Sequence, residues 1–69
     1  MVVGEVKWFD AKLGYGFLRT ANVDKDIFVH FTKIQMEGFR KLDPGQQVEF
    51  ELVQSDNGPQ AVSVVPRGE

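Results

Sequence analysis

Apolar residues in this chain come in short runs, and each run ends in a cluster of turn formers: "DAKLG", "ANVDKD", "KLDPGQ" and "SDNGP". No window sustains the three-and-four spacing of apolar residues that an amphipathic helix needs. The runs are rich in β-branched and aromatic residues and alternate with polar ones, the pattern of half-buried strands. It predicts strands near residues 2–10, 15–20, 26–31, 46–53 and 60–66, with one helical turn at Thr32–Gln35. Five strands in so short a chain cover their apolar faces and hide their edges by curling into a small barrel. The expected class is all-β.

Alternation also assigns faces. In "YGFLRT", Tyr15, Phe17 and Arg19 share one side while Gly16, Leu18 and Thr20 share the other. An unpaired arginine in a core is costly, so Leu18 is expected inside, with Tyr15 and Phe17 outside. In the third strand Asp26 and His30 belong in water, and Phe28 goes out with them while Ile27 and Val29 point in. The fourth strand is ordinary: Val48, Phe50 and Leu52 form the core set against Gln47, Glu49 and Glu51. Phe31 falls in the inward set unless the third strand ends at His30. Trp8 and Phe9 are adjacent and cannot face the same way in a regular strand. A bulge or a strand end there aims Trp8 at the surface that carries Tyr15 and Phe17.

Outward aromatics have flat faces that can stack on nucleobases, at roughly 1–3 kcal/mol per base. Gly14 and Gly16 fit such a surface, since glycine opens a tight turn and keeps the neighbouring surface low enough for a ligand to lie flat. Two other readings stand beside this one: core aromatics in a shifted register, and an apolar face that docks a protein partner. His30 is the only histidine and has no second histidine, no cysteine and no nucleophile at meaningful spacing. That favours a stacking or hydrogen-bonding role over metal ligation or base catalysis. "GYGF" is followed by neither the lysine and hydroxyl pair nor the helix of a phosphate-binding loop. No enzyme, cofactor or metal site is expected. "MEGFRKL" reads equally as a loop whose Phe39 packs on the barrel or as a ligand-bearing loop, and Asp10, Asp24 and Asp26 read as solvated loop charges.

Length and charge narrow the picture. A chain of 69 residues allows one domain near the lower size limit for an unstapled core, and with no cysteine there is no disulfide to brace it. The formal net charge of −2 is not the footprint of a generally basic phosphate binder, so any attraction for phosphate must be local. Lys7, Lys12, Arg19, Lys33, Arg40 and Lys41 lie in sequence around the aromatics, whereas Glu49, Glu51 and Asp56 come later, which predicts a mildly basic aromatic face on a dipolar molecule. No basic flank precedes an apolar run at the N-terminus, and no stretch is long enough to span a bilayer. A cytoplasmic protein without a membrane partner is expected.

Taken together, "KWFD", "GYGFL", "DIFVHF", "EGFRKL" and "GPQAVSV" resemble, in order and spacing and over nearly the whole chain, the bacterial cold-shock proteins. The resemblance implies a single cold-shock domain over residues 1–69 with frayed ends, built as a small five-stranded antiparallel OB-fold barrel. "GYGFL" and "IFVHF" are similar to that family's two ribonucleoprotein-type motifs, whose aromatics stack the bases of single-stranded RNA and DNA. It implies ligand roles for Lys7, Trp8, Tyr15, Phe17, Phe28, His30, Phe31 and Phe39. The implied activity is that of an RNA chaperone, which holds messages unpaired and influences transcription or translation under cold or other stress. An RNA-recognition-motif domain fits less well, because it is longer, contains two helices and carries the two motifs in the opposite order.

Three departures from the family pattern bear on affinity. Asp10 stands where the family usually has asparagine, and Lys12 and Leu13 stand where it has an acidic residue and then a lysine before the first glycine. Asn57 stands where some members carry arginine. An acid and a lost cation both reduce attraction to phosphate, and Lys12 offers a replacement contact, so somewhat weaker or more selective binding is expected. The partner implied is single-stranded RNA or DNA, bound by a monomer, with strand exchange into a dimer as the open alternative.

Overall fold

The computed structural model describes residues 1–21, 23–35 and 41–67. Strands β1 (Val2–Asp10), β2 (Tyr15–Thr20), β3 (Val23–His30), β4 (Gln47–Ser55) and β5 (Gly58–Pro66) follow in order, with a 3₁₀ turn at Phe31–Lys33 after β3. They close into a barrel in the order β1-β2-β3-β5-β4. Four neighbouring pairs are antiparallel, and β3 meets β5 in parallel at Phe28 and Gln60. Closure reduces exposed edges, as the sequence pattern implied, with the β3–β5 seam paired at Phe28 and Gln60.

Several boundaries differ from the pattern. β3 begins at Val23, because pairing of Val23 with Thr20 draws a polar stretch into the ladder. β4 and β5 run up to a two-residue connection, where Ser55 Oγ donates to the Gly58 carbonyl at 2.9 Å. Gln54, Ser55, Gly58 and Pro59 carry no apolar alternation, so hydrophobic periodicity could not find these strand ends.

Leu18, Ile27, Val29, Val48 and Phe50 are fully buried, as alternation requires, and Leu52 packs half-buried against them. Val6, Ala61 and Val64 complete the strand contribution, while Ile34 and Leu42 join the same core from connecting segments. Each large apolar side chain removed from water contributes about 1.5–3 kcal/mol, and with no cysteine in the chain no disulfide adds to this burial.

The junction of β1 and β2 depends on two glycines. Gly14 has φ of 84°, a left-handed conformation, and its N–H donates to the Asp10 carbonyl at 2.8 Å. Gly16 is buried rather than part of the ligand-facing surface: a Cβ there would strike the Trp8 carbonyl and lie 2.6 Å from Phe9 Cα. Its small size serves the close approach of two backbones, which corrects the expectation that it lowers the outer surface. Asp10 is also not a mere solvated charge. Its Oδ1 accepts from the N–H groups of Lys12 at 2.8 Å and Leu13 at 3.2 Å, fixing the turn that delivers Tyr15.

Candidate nucleic-acid interface

Strand register sorts the outward residues of β1, β2 and β3 into rungs. Asp10, Tyr15 and His30 lie opposite one another, and Trp8, Phe17 and Phe28 form the next rung, which continues to Gln60 on β5. The β1 register shifts between Val6 and Trp8. This bulge turns Trp8 onto the aromatic face while Val6 stays buried and Phe9 packs against the core.

Four rings form a closed cluster. Centroids of Trp8 and Phe17 are 5.4 Å apart, Phe17 and Phe28 5.8 Å, Tyr15 and Phe28 5.6 Å, and Trp8 and Tyr15 6.0 Å. All four contacts are tilted or edgewise, the arrangement the ring quadrupoles favour. The rings hold one another in place and none belongs to the core, so the shifted-register reading is excluded for Tyr15, Phe17 and Phe28.

Phe31 is 39% exposed. The third strand ends at His30, and Phe31 opens the 3₁₀ turn, so strand alternation no longer applies to it. Its ring lies 4.7 Å from that of His30. The Thr32 backbone N–H donates to His30 Nδ1 at 3.3 Å, and Thr32 Oγ1 lies 2.9 Å from the same nitrogen. These contacts hold the imidazole in place beside the Phe31 ring.

Charge around the rings is more balanced than the sequence suggested. Lys7 Nζ lies 2.8 Å from Asp26 Oδ2, Arg19 lies 3.4 Å from Glu5, and Lys41 lies 3.6 Å from Asp43. Among the described residues, Lys12, Lys25 and Lys33 have no such partner. Exposed pairs of this kind are worth about 0–1 kcal/mol, so an arriving phosphate can compete for Lys7. Phe39 and Arg40 lie outside the described residues.

A depression of about 230 Å³ lies between Phe17, Phe28, Asn57 and Gln60. Gln60 escaped the sequence reading because nothing local marks it: only the parallel pairing with Phe28 brings its amide to the aromatic rung. Successive rungs along a strand are about 6.6–6.8 Å apart. Bases within a duplex strand rise by only about 3.4 Å, so a strand that places one base on each rung must be pulled out of helical stacking. The spacing of the rungs thus matches an extended strand better than a stacked one. No group of metal-ligating side chains and no helix long and apolar enough to cross a membrane occurs among the described residues.

A closed five-stranded OB-type barrel with a clustered aromatic face on three adjacent strands defines a small nucleic-acid-binding domain. The comparison with known families is specific on this point: residues 2–67 match the 'cold-shock' DNA-binding domain, and the chain belongs to that family. It is 52% identical over 66 residues to a cold shock-like protein of Aquifex aeolicus, covering 96% of this chain and 94% of that one. It is 55% identical over 62 residues to the cold shock protein CspB of Geobacillus stearothermophilus, covering 90% of this chain and 92% of the relative. Among solved structures, Drosophila Unr CSD456 superposes with a TM-score of 0.79 at 27% identity, covering 97% of this chain and 26% of that chain. This chain therefore spans about a quarter of that larger protein.

Proposed function

We propose that the protein binds single-stranded RNA or DNA through Trp8, Tyr15, Phe17, Phe28, His30 and Phe31, with Lys7 and Lys12 reaching phosphates. The closed cluster of four rings carries this reading, because it offers flat faces at strand spacing and contributes nothing to the core. Phe39 joins the set on the family resemblance alone. Bound strands are held unpaired by competition with base stacking, without nucleotide hydrolysis, and the protein acts in the cytoplasm as a monomeric RNA chaperone. The names of its cold shock relatives support a role under stress, through transcription or translation.

The test is a titration of Trp8 fluorescence, since Trp8 is the only tryptophan and sits in the aromatic cluster. Oligothymidine is expected to quench it strongly, and duplex DNA of equal length far less. Equal affinity for both forms would replace the stacking mechanism with simple phosphate attraction.

A further inference from the structure

Beyond the two aromatic rungs, the outward row of β2 continues. Two residues after Phe17 comes Arg19, paired in register with Glu5 on β1, and Glu5 in turn lies opposite Gln47 on β4. These residues border an open groove of about 400 Å³, within the range of clefts that hold small ligands, roughly 300–1,000 Å³. One wall, at Val3 and Ala21, is apolar, and Glu5, Arg19 and Gln47 supply a carboxylate, a guanidinium and an amide.

We propose that this groove is a third nucleotide subsite, in which a base of the bound strand stacks on the Arg19 guanidinium. The inference rests on the nucleic-acid reading above and extends the bound strand by one rung. Three observations carry it. Tyr15, Phe17 and Arg19 share one face of β2 at a two-residue interval, and although β1 bulges between the Trp8–Phe17 and Glu5–Arg19 pairs, a strand stretched over the first two rungs runs toward the third. Arginine is the non-aromatic side chain with a planar, weakly hydrated face that stacks on bases. The groove supplies space beside Arg19, with an apolar wall for the sugar and base.

The Glu5 carboxylate restrains this subsite in the free protein. Its Oε2 lies 3.4 Å from the Arg19 guanidinium, and both side chains are about half exposed, at 46% and 61%. A pair this long and this wet holds weakly, so an incoming base can displace it or stack above it. Glu5 also offsets the charge of Arg19, so the subsite adds stacking more than phosphate attraction.

Chain length separates this subsite from the aromatic rungs. Quenching of Trp8 by oligothymidines graded from roughly 2 to 8 nucleotides, reaching into the known range of about 4–16 per OB fold, reads affinity at each length. Arg19→Ala is expected to leave affinity for the shortest binding oligomers unchanged and to weaken the longer ones roughly two- to fivefold. Arg19→Lys is expected to restore little of that loss, because it keeps the charge and lacks the plane. Glu5→Gln is expected to tighten longer oligomers only. Arg19 is exposed, so the thermal unfolding midpoint of its variants checks that the barrel is intact. An unchanged profile for Arg19→Ala, an equal loss at every length, or full rescue by lysine overturns the third subsite while leaving the aromatic one standing. Failure of every length to quench the native protein overturns both.

Discussion

Phe17 and Phe28 are direct cross-strand partners on β2 and β3, with ring centroids 5.8 Å apart and planes inclined at 75°. Each covers an edge of the other, yet both remain half-exposed on the outer surface. Their immediate sequence neighbours Leu18 and Ile27 are opposite one another in the same ladder and fully buried. One pleat of the sheet thus separates residues proposed to bind from residues that fold.

Replacing Phe17 or Phe28 by alanine is expected to weaken oligothymidine binding by roughly 1–3 kcal/mol, the value of one stacking platform. Each ring makes two ring contacts, so the stability cost is expected near that of two aromatic pairs, about 1–3 kcal/mol. Leu18→Ala reverses the ranking, with about 2–5 kcal/mol lost from the core and little direct effect on the binding of the folded fraction. Urea unfolding alongside fluorescence titration checks both. A core-sized stability loss for Phe17→Ala would overturn the face assignment of β2.

Gly16→Ala is expected to destabilise the barrel by roughly 1–3 kcal/mol, since the added methyl must push against the backbone of Trp8 and Phe9 rather than a side chain that can rotate. The displaced segment carries the bulge that presents Trp8, so the emission of Trp8 is expected to shift in the folded variant. Thermal unfolding and the emission spectrum measure the two effects. A variant as stable as the native protein would show that β1 and β2 separate without cost.

The departures near the first turn make a separate prediction. Asp10→Asn keeps an Oδ1 to accept from Lys12 and Leu13, so the turn survives while a negative charge leaves. Leu13 is 57% exposed, and Leu13→Lys adds a cation beside that turn. The double variant is expected to bind oligothymidine more tightly at low salt, with the logarithmic salt slope steeper by about 0.7 for one new phosphate contact on a single strand. Unchanged affinity and slope, together with a loss of both in Lys12→Ala, would show that Lys12 already supplies the contact and would end the expectation of weakened binding.

Local patterning determined the strand content, the inward set of Leu18, Ile27, Val29, Val48 and Phe50, and the outward placing of Tyr15, Phe17 and Phe28. All of these follow from the period of two, which any extended strand imposes whatever it pairs with. The resemblance to cold-shock proteins extended the reading to Phe31, where alternation alone pointed inward. Tertiary structure decided what depends on partners distant in sequence. Register brought Gln60 beside Phe28, the carboxylate of Asp26 to Lys7, and that of Glu5 to Arg19. It also showed why Gly16 has no side chain, because the atoms that exclude one belong to another strand. Sequence alone counts charges along a line. Only pairing in the closed barrel determines which of them meet, and so how much positive potential is left for a phosphate.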